Sequence, residues 1–217
     1  MIQRIGIILK KDFLLEWRQK YSLYGLLLYL VSAVFAIKMF NDQPEIETWN
    51  NLFWLILLFV AVNAVAKSFL QESKQRNLYY YTIHQPKDII LSKLIYNVLL
   101  MLFMSLLAFV LFYILLGAPQ IQYSAFLLMV ITGGMSMSIL FTMLSAIASK
   151  AGGNSALIAI LGFPLVIPQL ILLADLTRPL IMTLEVSGWW NFYLILILLD
   201  VLIVILSLVL FPFLWKE

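Results

Sequence analysis

The chain has 217 residues, 64% of them hydrophobic and only 12% charged, with a mean hydropathy of +1.01. Soluble domains carry about 25% charged residues and keep much of their surface in water, so this composition excludes a soluble globule, and with it soluble enzymes and nucleic-acid binders. Cysteine is absent, which excludes disulfide, zinc-thiolate and iron–sulfur chemistry, and the net charge of +3 is small enough that its placement matters more than its sum.

The first twenty residues are too polar to cross a bilayer, yet they are patterned. At 100° per residue, Ile2, Ile5, Leu9, Phe13 and Trp17 share one face opposite Arg4, Lys10, Lys11 and Arg18, with Glu16 on the apolar side. This predicts an amphipathic helix over 1–20 lying in the cytoplasmic interface, its cations near anionic headgroups. The plainer reading is a basic orientation signal. The apolar run starts only near Tyr21 and shows no clear A-x-A site, so a cleaved signal peptide is not expected.

A spanning helix needs about 20 mainly apolar residues. Six stretches qualify: Tyr24–Phe40, Trp49–Leu70, Leu94–Leu116, Tyr123–Ala148, Ser155–Asp175 and Trp190–Leu214. Turn-forming or charged segments separate them: Asn41-Asp42-Gln43-Pro44, Gln71–Lys93, Gly117-Ala118-Pro119, Lys150-Ala151-Gly152-Gly153 and Thr177-Arg178-Pro179. Twelve of the fourteen Lys and Arg fall on one side of the resulting topology, and only Lys38 and Arg178 on the other. The positive-inside rule then places both termini in the cytoplasm. Trp49, Trp189, Trp190 and Trp215 are expected at headgroup depth. The fold class is therefore all-α, a single polytopic membrane domain over 1–217.

The segment 71–93 is the longest cytoplasmic connection and mixes charge with large apolar groups, among them Glu72, Arg76, Leu78, Tyr79, Pro86 and Lys87. Aromatic and Arg-rich patches favour protein interfaces, so it reads as a docking element for a cytoplasmic protein; the alternative is an aromatic belt on the membrane surface. The chain has no Walker A phosphate loop and a single histidine, His84, so neither ATP hydrolysis nor a two-histidine metal or haem site is expected within it.

Polar residues inside spans need a reason, because a charge at mid-bilayer costs at least about 2.5–3.5 kcal/mol. Asp200 sits near the middle of the last span and must be protonated, paired or hydrated, in a transport path or as a structural acid. Asn63 and Asn97 are expected to bond between helices, and Gly134, Ser138, Thr142 and Ser145 form a small-residue stripe that admits a close neighbour. Gly162, Pro164 and Pro168 predict a fifth span bent or broken near its centre, able to shape a cavity or to hinge.

Lys11-Asp12-Phe13-Leu14-Leu15-Glu16-Trp17-Arg18, the loop from Ser68-Phe69-Leu70-Gln71-Glu72 through Pro86 to Lys93, and Lys150-Ala151-Gly152-Gly153 leading to Phe163-Pro164-Leu165-Val166-Ile167-Pro168 resemble the CcmB family, the haem exporter protein B subunits of cytochrome c maturation. The resemblance spans nearly the whole chain. Near Leu78 the family usually carries a Gly and an acidic residue, where this chain has Asn77 and Tyr79. It implies an ABC exporter permease of the polysaccharide-export class in a bacterial inner membrane, working as a homodimer with a CcmA-like ATPase and with CcmC, CcmD and CcmE-like proteins. It further implies that Glu72, Arg76, Leu78, Tyr79, Pro86 and Lys87 contact the ATPase through a coupling helix, with ATP bound by the partner and haem as a candidate cargo. Energy coupling, ending in release of a haem-loaded chaperone, is favoured over a haem conduit. The competing classes are an ion-coupled secondary transporter using Asp200 and a structural membrane scaffold.

Overall fold

A computed structural model describes residues 2–18, 20–65, 85–117, 122–150, 155–182 and 188–216. The described residues form seven helices: α1 Ile2–Arg18, α2 Lys20–Phe40, α3 Ile46–Val65, α4 Pro86–Leu116, α5 Tyr123–Lys150, α6 Ser155–Met182 and α7 Trp189–Lys216. All but α1 are long and apolar enough to cross a membrane. Because a helix satisfies its backbone polar groups internally, it can do so without exposing them to hydrocarbon. The protein is thus a multi-pass helical membrane protein.

Two boundaries differ from the sequence reading by seven or eight residues, and the end expected at Leu70 lies outside the described residues. First, α4 begins at Pro86, eight residues ahead of Leu94, and runs for 31 residues. Pro86 occupies the first turn, where its missing N–H costs nothing, and Asp88 stands in that turn too, where free N–H groups favour a carboxylate. The charged residues Lys87, Asp88 and Lys93 therefore belong to a helix, extended by about 12 Å at 1.5 Å per residue. Second, α6 continues from Ser155 to Met182 with Pro164, Pro168 and Pro179 inside it, correcting the expected end at Asp175; of the two outcomes expected at its centre, bent or broken, it is not broken. Pro164 and Pro168 withhold hydrogen bonds from the carbonyls of Ile160 and Pro164, but tertiary bonds carry the helix onward. The Thr177 hydroxyl accepts from Trp54 Nε1 of α3 at 2.8 Å, and the Leu180 carbonyl accepts the Gln122 N–H at 3.1 Å.

The helices divide into a hub and a rim. α5 packs against α3, α4, α6 and α7, and consecutive glycines explain how it admits them. A Cβ on Gly133 would lie 2.4 Å from Trp54 of α3, while one on Gly134 would lie 2.8 Å from Ser105 of α4, so removing both side chains lets neighbours approach on two faces. The expected stripe on α5 holds: Ser138, Thr142 and Ser145 are buried. By contrast α2 buries one row, Leu26, Leu30 and Val34, and α7 buries Leu196, Asp200, Ile203, Ser207 and Phe211. Spacings of three and four put each set on one side of its helix, leaving the rest to lipid.

At one end of the bundle, Ile8 of α1 shares a small apolar cluster with Ile89, Ile90 and Leu94 of α4, Ala146 of α5 and Phe211 of α7. Ile8 and Phe211 flank the two ends of the chain, so both termini lie at this end, called inner below. The opposite, outer end is filled by rings. Phe53 stacks nearly parallel to Trp49, and Phe112 meets it edge-on at 5.3 Å. Trp49 is only 2% exposed, which corrects its expected place in an aromatic belt: it anchors helices rather than headgroups. Trp190, 70% exposed, suits that belt.

Candidate functional site

The inner-end junction starts from the amphipathic sequence of α1. Its protein-facing side is centred on Ile8 and Asp12, both buried, whereas Phe13 is 61% exposed. The face of Ile5, Leu9 and Phe13 expected to be the apolar one is thus half-buried to exposed, and the adjoining face docks onto the bundle. Asp12 explains the offset. Its carboxylate lies 3.5 Å from Lys93 Nζ of α4 and 3.1 Å from Lys11 Nζ, and a buried carboxylate needs such partners. The pair joins α1 to the third turn of α4, about two turns beyond Pro86. Of the residues predicted to meet a cytoplasmic partner, Pro86 is half-buried and Lys87 exposed at the start of α4; Glu72, Arg76, Leu78 and Tyr79, like His84 and the Gly152-Gly153 turn, lie outside the described residues.

Mid-bundle, the last span brings Asp200 to α5 and α6. Ser136 Oγ donates to Asp200 Oδ1 at 2.6 Å, and Gln169 Nε2 donates to Ser136 Oγ. Asp200 is 8% exposed, and Ser136 and Gln169 at most 1%, so the acid ends a polar chain of three helices walled in by apolar side chains. Gln169 directly follows Pro168 on α6, and Gly162, about two turns before Gln169, is buried with Leu144 of α5 3.1 Å from where its Cβ would be. Pro164 and Pro168 are themselves exposed. Asn97 bonds Thr142 across α4 and α5 at 2.9 Å, as expected. Among the described residues Asn63 bridges no helices; its amide donates to the Phe59 carbonyl of its own helix at 2.9 Å.

Near the outer end, Thr177 ties α6 to α3. Its hydroxyl accepts from Trp54 Nε1 at 2.8 Å and donates toward Asn50 Oδ1 at 2.7 Å, while Asn50 Nδ2 reaches the Ala174 carbonyl at 2.9 Å. Arg178 pairs with Glu47 at the exposed rim. Sequence reasoning missed Asp12, Ser136, Gln169, Asn50 and Thr177 as partners. The available signal was a polar residue on a helix otherwise apolar; what each would meet was not readable.

Among the described residues no group of three or more His, Asp or Glu is placed to hold a metal ion. What the arrangement provides is mechanical: an amphipathic helix clamped by a buried ion pair to the start of a long span, above a bundle whose polar bonds join spans rather than line an enclosed site. That defines a membrane-embedded helical subunit. A family model described as "CcmB protein" matches residues 3–214, so the chain belongs to the CcmB family, the membrane permease subunits of ABC transporters acting in cytochrome c maturation. No curated protein and no solved structure matches it.

Proposed function

We propose that this chain couples ATP hydrolysis by a separate CcmA-like ATPase to haem export or to release of a haem-loaded chaperone, as one half of a homodimer working with CcmC, CcmD and CcmE-like proteins. In this reading the inner end faces the cytoplasm of a bacterium, both termini included, and the ATPase grips the segment 71–93 through Glu72, Arg76, Leu78, Tyr79, Pro86 and Lys87. The excess of Lys and Arg on the inner side of the topology supports this orientation.

The observation that carries the reading is the junction around Asp12 and Lys93. The segment 71–93 ends inside α4, and the first turns of α4 are wedged against Ile8, Ala146 and Phe211 and held by the Asp12–Lys93 pair. A pull on the start of α4 is therefore delivered to α1, α5 and α7. The proline-bearing α6, packed on α5, is the neighbouring span suited to bend in response.

Co-reconstitution with the ATPase in nanodiscs tests this. Replacing Arg76, Leu78 or Pro86 should lower the stimulation of ATP turnover by the membrane subunit while leaving the helical content and thermal unfolding of the chain unchanged. Variants that keep full stimulation, or an isolated chain that works with no ATPase at all, would overturn the proposal.

A further inference from the structure

The membrane interior holds one acid whose neighbours explain more than packing. Asp200 lies about 16 Å along α7 from Trp189, at 1.5 Å per residue, with Ser136 and Gln169 likewise near the midpoints of α5 and α6. A carboxylate at that depth requires a counter-charge, water or a proton. The ionisable groups on the elements packed around α7 stand away from that level. On α4, Lys87, Asp88, Lys93 and Tyr96 occupy the first three turns and Tyr113 the last; on α5, Tyr123 and Lys150 occupy the ends; on α6, Asp175 and Arg178 lie two to three turns beyond Gln169 toward the outer end. Lys93 already faces Asp12, and Arg178 faces Glu47.

The hydrogen-bond chain to the acid accommodates its protonated form. With the chain running from the Gln169 amide to Ser136 to the Asp200 carboxylate, Gln169 Oε1 is buried with no donor among the described residues. Buried acceptors normally find one. The chain can run the other way: a proton on Asp200 makes it a donor to Ser136 Oγ, freeing the serine hydroxyl to donate to Gln169. A half-turn of the amide exchanges Oε1 for Nε2 in the same space, so Oε1 then accepts from the serine while Nε2 takes the place Oε1 held, and the chain stays continuous with the acid uncharged.

We propose that Asp200 is a proton-binding site in the membrane interior, carrying its proton while α5, α6 and α7 are packed together, with Ser136 and Gln169 as the reversible relay that bonds to the acid form. The proton comes from water and stays on the carboxyl oxygen; no other bond forms or breaks. The site ties the two-proline segment of α6 to α7, so unpacking α6 and ionising Asp200 are linked events.

Infrared spectroscopy of the full-length protein in nanodiscs at pH 7 reads the site directly. The expected result is a carboxylic-acid carbonyl band, one group per chain, that moves in D2O, is lost in Asp200→Asn, and changes frequency in Ser136→Ala, because the hydroxyl it bonds is gone. If Asp200→Asn instead removes a carboxylate band and no acid band, the residue is ionised and the proposal falls. Should Asp200→Asn not fold, Ser136→Ala decides alone: an acid band that stays at the same frequency, or no acid band in the parent protein, overturns it equally.

Discussion

Adding one methyl group at Gly133 should be the most disruptive small change in the bundle. Its Cβ would stand 2.4 and 2.5 Å from two atoms of the Trp54 ring and 3.0 Å from Leu173, whereas carbon atoms rest at about 3.5–4.0 Å. The ring must therefore withdraw by about 1 Å. Trp54 is fully buried, with Phe53 against it edge-on at 5.2 Å and its N–H held by Thr177 at 2.8 Å. A withdrawal of that size stretches the bond past its useful range, adding about 1–3 kcal/mol for the stranded buried donor to about 1–3 kcal/mol for overpacking. Alanine's better helix propensity returns about 1 kcal/mol at most, so Gly133→Ala should destabilise by about 1–5 kcal/mol. Equilibrium unfolding by steric trapping or in mixed detergent micelles measures this, with Gly25→Ala as the control, because no atom lies within 4 Å of a Cβ there. A second replacement, Trp54→Leu, should recover much of the loss by vacating the space. If Gly133→Ala unfolds within 0.5 kcal/mol of the parent, roughly the scatter of innocuous surface changes, then α3 and α5 do not approach as described.

The other expectations concern polar ties. Thr177→Val strips the acceptor from Trp54 and the donor from Asn50, and should cost about 2–4 kcal/mol in the same unfolding assay, whereas Thr177→Ser should cost far less. Asp12→Ala and Lys93→Met each break a buried pair and should each cost about 3–5 kcal/mol; the double variant should cost less than their sum, and hydrogen exchange should show α1 losing protection in the single variants. Arg178→Ala breaks an ion pair whose partners are about half exposed, so its effect on unfolding should stay below about 1 kcal/mol. Equal losses for the rim pair and the buried pair would refute the distinction drawn between them.

What could be read from the sequence follows from which forces act locally. The spans were legible because hydrocarbon thickness sets a length, and six apolar runs met it in register with the helices found. The start of α4 was not, although Pro86 and Asp88 are both helix-start signals: three charged residues argued for a loop more loudly than two capping residues argued for a helix. The end of α6 misled for the opposite reason, since Thr177-Arg178-Pro179 has the composition of a turn and is kept helical by Asn50, Trp54 and Gln122 from elsewhere in the chain. Asp200 announced itself as a buried charge, but Ser136 and Gln169 did not, because serine and glutamine in a span are too cheap to demand a role. Asp12 was hidden in a helix whose charges looked uniformly solvated. Its partner Lys93 lies in a segment read as a loop, and no periodicity connects the two.

The burial of α5 on several faces carries a consequence for biosynthesis. A chain inserted from its amino end meets the lipid one helix at a time, so when the hydroxyl-rich α5 enters, α3 is in place to cover Gly133 and α4 to cover Gly134 and Thr142, while Ser136 still awaits partners from α6 and α7. Until the final helix arrives, a serine and then a glutamine stand open to acyl chains. A ribosome stalled before Asp200 would therefore release a product with unsatisfied polar groups in the bilayer, the kind of blemish by which membrane quality control tells an unfinished chain from a finished one.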